Sequence, residues 1–300
     1  MNIRFGVSPI AWINDDMPEL GGGTPLERVL TDASEVGFCG VELGGVFPRD
    51  PQVLSGLLLK HGLDLVGGWY SGSLLKQSAQ AEIAALQGHL ALLEAMGCKV
   101  FIFAETSNAI HGDRSQPLTR TPSLDEAQWR SFGAALTDVA DYIQGRGLHF
   151  AYHHHMGTVF DDPDDLGRFL AVTGPSVGLT VDTGHAALGG IDPVELIRKH
   201  PARVAHVHCK DVRPGVFERI FGAGGSFLDG VLAGMFTVPG DGRLNFQAVM
   251  KALAQIDYSG WIIVEAEQDP AKAPPRLYAQ LGLQTLRDRA LEAGLKEMVC

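Results

Sequence analysis

Strand-like and helix-like segments alternate along the chain, and the alternation repeats eight times over 300 residues. Short runs rich in β-branched and apolar residues predict the strands, and apolar residues at helical spacing predict the helices. The predicted strands are 3–8, 40–43, 63–68, 100–104, 148–154, a run ending at Asp182, a run ending near His208, and 261–265. Eight such repeats predict an α/β fold of one closed (β/α)8 barrel. No linker or shift of composition divides it, so we expect a single domain over residues 1–300.

The segments between the strands predict eight helices and two long excursions. The predicted helices are 25–36, 51–61, 79–96, 124–145, 163–172, 191–200, 246–256 and 275–293. Ser123 with Glu126 three residues later resembles a capping box that begins the fourth helix. The excursions are 106–123, which is polar and contains prolines, and 212–244, which is rich in glycine. The first is long for a connector, and we expect it to cover an active site.

An open, doubly wound sheet is the competing fold. No G-x-G-x-x-G motif follows the first predicted strand, and no G-x-x-x-x-G-K-[ST] motif occurs in the sequence. The GAGG run at 222–225 lies in a long predicted loop without a strand before it, so flexibility explains it better than phosphate binding. These patterns favour the barrel.

Composition limits the partners and the compartment. The net charge of −11 argues against binding to nucleic acid, which needs clustered Lys and Arg. No run reaches the roughly 18 apolar residues of a membrane span, and the N-terminus lacks a signal-peptide pattern. The four cysteines are scattered and form no C-x-x-C pair, so we expect neither a disulfide framework nor a cysteine zinc site. A reducing cytoplasm fits this pattern best.

Polar residues that bind metals follow four consecutive predicted strands. Strands five to eight end in His153, His154 and His155; Asp182 and His185; His206, His208, Lys210 and Asp211; and Glu265 and Glu267. Residues two apart share a face of a strand, and the carboxyl ends of barrel strands converge. Mixed histidine and carboxylate ligands suit a divalent ion of the manganese, cobalt, iron or zinc group.

Each of these residues also has a simpler explanation. A single strand histidine is more often a hydrogen-bonded core residue than a ligand, by roughly four to one. Asp182 alone would be explained as a cap of the following turn. Four consecutive strands with such ends nevertheless favour a metal site, because burying so many unpaired polar groups without a cation is costly.

Several blocks resemble one known superfamily over nearly the whole chain. VGLTVDTGHA, HVHCKD, PGDGRLNF and GWIIVEAEQD are similar to blocks of the xylose-isomerase-like TIM-barrel superfamily. Within it, the opening FGVSPIAWINDDMPELGGGTP, GWYSGSLL and AYHHHMGT resemble the inosose dehydratase family of myo-inositol catabolism. This resemblance implies a metal-dependent lyase that removes water from 2-keto-myo-inositol (scyllo-inosose) and gives a trihydroxycyclohexane-dione.

The resemblance also implies the metal ligands. By motif they are Asp182, His208 and Glu265, with a fourth ligand from strand five. The superfamily usually has a glutamate there, in a block of the form E-N-H-x-G-T, and this chain has His153 instead. His153 is therefore either a ligand or a catalytic base. The resemblance implies manganese or cobalt first, zinc or iron second, and a response to thiols such as glutathione.

Dehydration needs a base and an acid beside the metal. His185 is the first candidate for one of these roles, because imidazole serves either way near neutral pH. His153 and Glu42 are the second choices. We assign substrate binding to a further set at the strand ends: His155, Trp12, Trp69, Tyr70, Lys210 and Glu105.

Three other functions remain open from the sequence. A sugar or keto-inositol isomerase or epimerase of the same superfamily would share the metal chemistry, but the missing strand-five glutamate counts against it. A barrel that binds sugar without turnover would not need Asp182, His185, His208 and Glu265 together. The acidic balance opposes the endonucleases of the superfamily. The expected partner is a small cyclic polyol ketone, and the 212–244 excursion could reach a neighbour in a homo-oligomer.

Overall fold

A computed structural model describes residues 2–300 and shows a closed barrel of parallel strands. The barrel strands are β1 (Asn2–Val7), β2 (Gly40–Leu43), β3 (Asp64–Gly72), β4 (Val100–Glu105), β5 (His149–His153), β6 (Val177–Asp182), β7 (Val204–Cys209) and β8 (Gly260–Val264). Each strand pairs in parallel with its neighbour, and β8 closes the ring by pairing with β1. The predicted (β/α)8 barrel is confirmed.

Helices surround the barrel and pack their apolar faces on it. They are α1 (Leu26–Val36), α2 (Pro51–Lys60), α3 (Ala79–Ala85), α4 (Gln87–Ala95), α5 (Glu126–Gly145), α6 (Pro163–Val172), α7 (Thr183–Leu188), α8 (Pro193–Lys199), α9 (Pro214–Gly222), α10 (Phe227–Ala233), α11 (Phe246–Gln255) and α12 (Pro275–Ala293). Their buried side chains and the outward side chains of the strands form the main hydrophobic core. No helix of residues 2–300 is long and apolar enough to cross a membrane.

Apolar side chains fill the lower barrel interior and leave the upper end for polar groups. Val66, Val100, Ile102, Ala151 and Ile263 form a buried cluster inside the barrel, with Trp261 packed against it. Gly40 makes room for that indole, because a Cβ at this position would lie 2.7 Å from Trp261 Cη2. Two residues further along β2, Glu42 makes the interior face polar.

Two predicted helix boundaries differ from the structure. The helix predicted over 79–96 is divided at Leu86 into α3 and α4. The predicted Ser123 cap is wrong, because Asp125 begins α5 and accepts hydrogen bonds from Ala127 N and Gln128 N at 2.8 Å each. The capping box pairs Asp125 with Gln128. Asp125, two residues after Ser123, can also cap a helix, so the capping-box motif alone does not determine the first residue of α5.

The 212–244 excursion is ordered and contains α9 and α10, which the sequence did not predict. A short antiparallel pair of strands, Asp211–Val212 with Phe236–Thr237, holds its two ends together. The Asp211 carboxylate accepts backbone hydrogen bonds from Gly240, Gly242 and Leu244 at 2.9 to 3.1 Å. Asp211 therefore fixes the return of this excursion to the barrel.

The C-terminus is tied to the lower end of the barrel. Residues Lys296–Glu297 form a short strand beside β1, and a disulfide joins Cys39 to Cys300 with a Cα separation of 5.1 Å. The expectation of no disulfide is wrong. The two cysteines are 261 residues apart in sequence, so spacing gave no sign that the fold brings them together. Cys98 and Cys209 are free and buried.

Candidate active site

A cavity of about 390 Å³ opens at the carboxyl end of the barrel strands. This is the end at which (β/α)8 barrels place their chemistry, because the loops after the strands wall it. Its floor is polar and comes from the ends of β2, β5, β7 and β8, and its roof comes from the loops after β1 and β4. The residues that line it include Asp16, Glu42, Trp69, His111, His153, His155, His208, Glu265 and Glu267.

Four buried side chains at consecutive strand ends form one cluster. One ligand atom each of His153, Asp182, His208 and Glu265 lies within 4.8 Å of the others. Asp182 Oδ2 lies 3.6 Å from His153 Nε2 and 3.8 Å from His208 Nδ1, and Glu265 Oε2 lies 2.8 Å from His208 Nδ1. The structure thus brings together the four residues of the predicted metal site. Two imidazoles and two carboxylates are a donor set for a divalent transition metal.

Hydrogen bonds orient both imidazoles toward this cluster. His153 Nδ1 donates to the carbonyl of His154 at 2.7 Å, which leaves Nε2 with its lone pair facing Asp182. His208 Nε2 donates to Glu42 Oε1 at 2.9 Å, which directs Nδ1 toward Asp182 and Glu265. A histidine that donates from one nitrogen presents the other as a metal ligand.

Asp182 divides its two oxygens between the backbone and the cluster. Oδ1 accepts from Gly184 N and His185 N at 2.8 and 2.9 Å and so caps α7. Oδ2 is buried without a hydrogen-bond partner. Burial alone would raise the pKa of Asp182, but Lys210 and His153 lower it to about 2, so the carboxylate is ionised. Its nearest cation is the Lys210 ammonium, with Nζ 3.5 Å away, and a buried, ionised oxygen without a hydrogen bond fits a site built for a further cation.

Glu42 lies behind His208 and joins two histidines of β7. His206 Nε2 and His208 Nε2 donate to its Oε1 at 2.8 and 2.9 Å. Burial opposes ionisation of Glu42, but the two imidazoles lower its pKa to about 2. Glu42 contacts the cavity, yet its hydrogen bonds are made to the histidines. Its geometry is that of a group that holds His208 in place.

Lys210 occupies the centre of a second cluster next to the first. Its Nζ lies 2.6 Å from Glu267 Oε1, 2.7 Å from Glu265 Oε1 and 3.0 Å from His185 Nε2. Burial alone would lower the pKa of Lys210, but the surrounding carboxylates raise it above its ordinary value. The ammonium is fully buried and does not line the cavity. It acts on the site through its neighbours.

Glu267 is the residue beside Lys210 in this second cluster that lines the cavity together with Glu265. One oxygen accepts from Lys210, and the other, Oε2, is buried without a partner. Burial raises the pKa of Glu267 to about 7, although Lys210 acts in the opposite direction. His185 lies behind it, with Nε2 3.4 Å from Glu267 Oε1. Burial lowers the pKa of His185 well below its usual value, so this imidazole is neutral at neutral pH.

Aromatic rings form one wall of the cavity. Trp69 contacts His153 and His155 edge to face, with ring centroids 5.1 and 5.9 Å apart. Behind His155, Phe227 of α10 lies 4.9 Å from its ring centroid. The 212–244 excursion therefore packs on the back of the site, as the Phe236 ring also does, 5.0 Å from the ring of His185.

Two loop residues that the sequence did not single out form the roof. His111, from the loop after β4, contacts His155 with ring centroids 4.6 Å apart and the ring planes tilted by 54°. Its Nε2 lies 4.0 Å from Asp16 Oδ1, which comes from the loop after β1. The predicted cover at 106–123 does contribute to the cavity through His111. A histidine inside that predicted loop was the available signal, and Asp16 had none beyond its place after the first strand.

Besides Lys210, three residues assigned to substrate binding lie outside the cavity. Trp12 is buried and donates from Nε1 to Asp32 Oδ2 at 3.0 Å. The Tyr70 hydroxyl donates to Glu82 at 2.7 Å, on the outer face of β3. Glu105 accepts from the backbone of Leu74 and Ser107 at 2.6 and 2.9 Å. The side chains of these three residues make structural contacts, and none of them lines the cavity.

The fold and the site are those of a (β/α)8 barrel with a buried cluster of His, Asp and Glu side chains that could hold a divalent metal, and comparison with known proteins gives the family. Residues 30–289 match the model of the xylose isomerase-like TIM barrel family, and the chain belongs to that family. D-psicose 3-epimerase from Clostridium cellulolyticum H10 superposes with a TM-score of 0.68 at 15% identity, over 96% of this chain and 99% of that one. At this identity the likeness concerns the fold alone.

Two curated relatives align over nearly the full length. The rhizopine catabolism protein MocC of Rhizobium meliloti is 43% identical over 296 residues, which are 99% of this chain and 91% of that protein. The inosose dehydratase of Geobacillus thermodenitrificans is 38% identical over 288 residues, 95% of this chain and 97% of that enzyme.

Proposed function

We propose that this protein is a metal-dependent hydro-lyase that removes water from 2-keto-myo-inositol and gives a trihydroxycyclohexane-dione in myo-inositol catabolism. The observation that carries the proposal is the buried cluster of His153, Asp182, His208 and Glu265, whose two histidines and glutamate line the floor of the cavity. Full-length similarity to an inosose dehydratase supports the substrate.

The same four residues would hold the metal. Their oriented lone pairs and the unpartnered Asp182 oxygen fit a divalent cation, and the mixed oxygen and nitrogen donors favour manganese or cobalt over the softer ions, with zinc or iron next. A bound divalent ion would polarise the ketone and stabilise the enolate that forms when the neighbouring carbon loses a proton. His153 serves in this proposal as a ligand and not as the base, because its free Nε2 faces Asp182.

The cavity suits a small cyclic polyol ketone. Its volume of about 390 Å³ lies in the range of small-molecule sites. Trp69 supplies an apolar surface for the C–H faces of the ring, and His155 and Glu267 supply polar atoms beside it. Lys210 contributes to substrate recognition only through the carboxylates that it holds.

Glu267 is the group that we assign to departure of the hydroxyl. It faces the cavity with one oxygen fixed by Lys210 and the other free of partners. Lys210 and His185 lie directly behind it and hold its carboxylate in place, and a proton given to the leaving hydroxyl at Glu267 is replaced from solvent. His185 acts in this proposal through Glu267, because its own side chain does not line the cavity.

Three further expectations accompany the proposal. We propose a cytoplasmic location, a response to thiols such as glutathione, and association into a homo-oligomer. The scattered cysteines are the ground for the first, the family resemblance alone implies the second, and the exposed side of α9, where Phe221 is 41% exposed, offers a surface for the third.

The direct test is the reaction itself. Chelator-treated protein is incubated with scyllo-inosose and added manganese or cobalt, and the absorbance of the conjugated dione is followed. Growth of this absorbance supports the hydro-lyase. Unchanged inosose, together with aldose or epimer products from a panel of keto-sugars, would instead identify an isomerase or epimerase of the same family.

A further inference from the structure

The roof of the cavity carries an acid–base pair, His111 and Asp16, that is separate from the cluster of His153, Asp182, His208 and Glu265. His111 and Asp16 come from different loops, and His111 Nε2 lies 4.0 Å from Asp16 Oδ1. Their side chains are 12% and 31% exposed, so both are enclosed but reachable from the cavity that they line. No hydrogen bond within residues 2–300 occupies either imidazole nitrogen of His111, and Nδ1 is buried without a partner.

Backbone contacts fix the position of this pair. Ile110 N donates to Gly157 O at 2.9 Å, which docks the His111 loop on the turn after β5. Asn14 Oδ1 accepts from Asp16 N and Met17 N at 2.9 and 2.8 Å, which fixes the turn that carries Asp16. Groups held by two separate loops in this way are preorganised for a reaction in the space between roof and floor.

Among the histidines that line the cavity, His111 is the one suited to accept a proton. His153 and His208 belong to the four-residue cluster with Asp182 and Glu265. His155 lies between the rings of His111 and His185, at 4.6 and 3.9 Å. Its Nδ1 donates to the Met156 carbonyl at 2.8 Å, and the carboxylate within 4.8 Å of it is that of Glu267, the group assigned as the acid. Burial lowers the pKa of His111, which keeps the imidazole neutral and able to accept a proton, and the Asp16 carboxylate at 4.0 Å acts in the opposite direction by stabilising the imidazolium.

We infer that His111 is the base that removes the proton from the carbon next to the ketone, and that Asp16 stabilises the imidazolium formed. The inference rests on the proposed function. The C–H bond breaks, its proton goes to His111 Nε2, and its electron pair enters the enolate. The C–O bond at the next carbon then breaks, the hydroxyl leaves as water with a proton from Glu267, the carbonyl re-forms, and a C=C bond forms between the two carbons. The enol produced tautomerises to the dione, with a proton added at the carbon that lost the hydroxyl and one lost from the enol oxygen. His111 returns its proton to solvent and Glu267 takes one up, so no oxidant or reductant is needed.

Deuterium exchange separates the two proton transfers. The manganese-loaded protein is mixed with scyllo-inosose in deuterium oxide, exchange at the carbon next to the ketone is followed by NMR, and dione formation is followed by absorbance. For His111→Ala we expect both rates, corrected for the uncatalysed background, to fall at least about 100-fold. For Glu267→Gln we expect exchange to continue while dione formation is lost.

Chemical rescue distinguishes a base from a structural residue. Added imidazole should restore exchange in His111→Ala at least about tenfold, because the removed side chain leaves a space beside the cavity. His111→Gln should show the same loss without rescue, since its amide fills that space. His149→Ala, at the exposed start of β5, is the control and should match the wild type. Titration with manganese should show that His111→Ala keeps its metal affinity.

Two results would overturn the assignment. Exchange at near wild-type rate in His111→Ala or His111→Gln excludes His111 as the base. A loss in His111→Ala that imidazole does not restore, with metal affinity retained, assigns His111 a structural role. A wild-type protein that neither exchanges nor dehydrates the inosose contradicts the proposed function itself, and so is distinct from these outcomes.

Discussion

Glu42 accepts a hydrogen bond from His208 Nε2 at 2.9 Å. The other ring nitrogen of His208, Nδ1, faces Asp182 and Glu265. The contact fixes both the tautomer and the angle of the ring. Since a second donor, His206, reaches the same oxygen, the carboxylate itself is held in place. The site is therefore built in two layers, with the outer layer orienting the inner one.

Glu42→Gln should weaken metal binding without removing a ligand. The amide cannot accept from both histidines as well as a carboxylate does, so we expect manganese affinity to fall about 10- to 100-fold. Calorimetric titration measures the change. Glu195→Gln, on the exposed face of α8, is the matched control and should leave the affinity unchanged. Equal affinities for Glu42→Gln and wild type would contradict the role given to Glu42.

Lys210→Met should destabilise the fold. It leaves the buried carboxylates of Glu265 and Glu267 without their cation, and breaking a buried ion pair costs about 3–5 kcal/mol. Urea denaturation of the chelator-treated protein measures the free energy of unfolding. Lys199→Met is the control, because its side chain is 66% exposed and its loss should change that free energy by less than about 0.5 kcal/mol. If the two variants are equally stable, Lys210 does not neutralise the cluster.

His89 should make the protein less stable in mild acid. Burial lowers the pKa of His89 to about 4, and its Nε2 lies 3.2 Å from the carbonyl oxygen of Gly68, to which the neutral ring donates. Between pH 6.5 and 4 the unfolded chain binds this proton and the folded chain does not. The free energy of unfolding therefore falls as the pH falls through this window, by about 3 kcal/mol in total.

His89→Gln keeps a donor at this position but does not titrate. The difference in unfolding free energy between this variant and the wild type should shift by about 2 kcal/mol in favour of the variant from pH 7 to pH 4.5. Denaturation curves at several pH values give this difference directly. A difference that is independent of pH would show that His89 titrates normally in the folded protein.

The sequence was sufficient for the barrel and for the floor of the site. The periods of strand and helix are strong over eight repeats, and residues at the ends of parallel strands must converge, so His153, Asp182, His208 and Glu265 could be grouped before the structure was known. Asp182 shows that two interpretations can hold together, since one of its oxygens caps α7 and the other faces the cluster.

Features that depend on loop paths or on distant pairs could not be predicted. The positions of Asp16 and His111 follow from how two loops dock, and sequence periodicity carries no information about that. The Cys39 to Cys300 disulfide forms because the last short strand, Lys296–Glu297, pairs with β1 and so brings the C-terminus close to Cys39. Tyr70 was expected at the cavity because it lies near the end of the third predicted strand, but successive strand residues point to opposite faces, and of Trp69 and Tyr70 only Trp69 points inward.

The most direct test of the account is metal-dependent water loss by wild type and Asp182→Asn side by side. Both proteins are freed of metal with a chelator, and dione formation from scyllo-inosose is measured with and without added manganese or cobalt. We expect product from the wild type only when metal is added, and at least a 100-fold lower rate together with weakened metal binding for Asp182→Asn. Equal rates with and without metal, or an Asp182→Asn variant as active as the wild type, would contradict the assignment of this cluster as the metal site of a dehydratase.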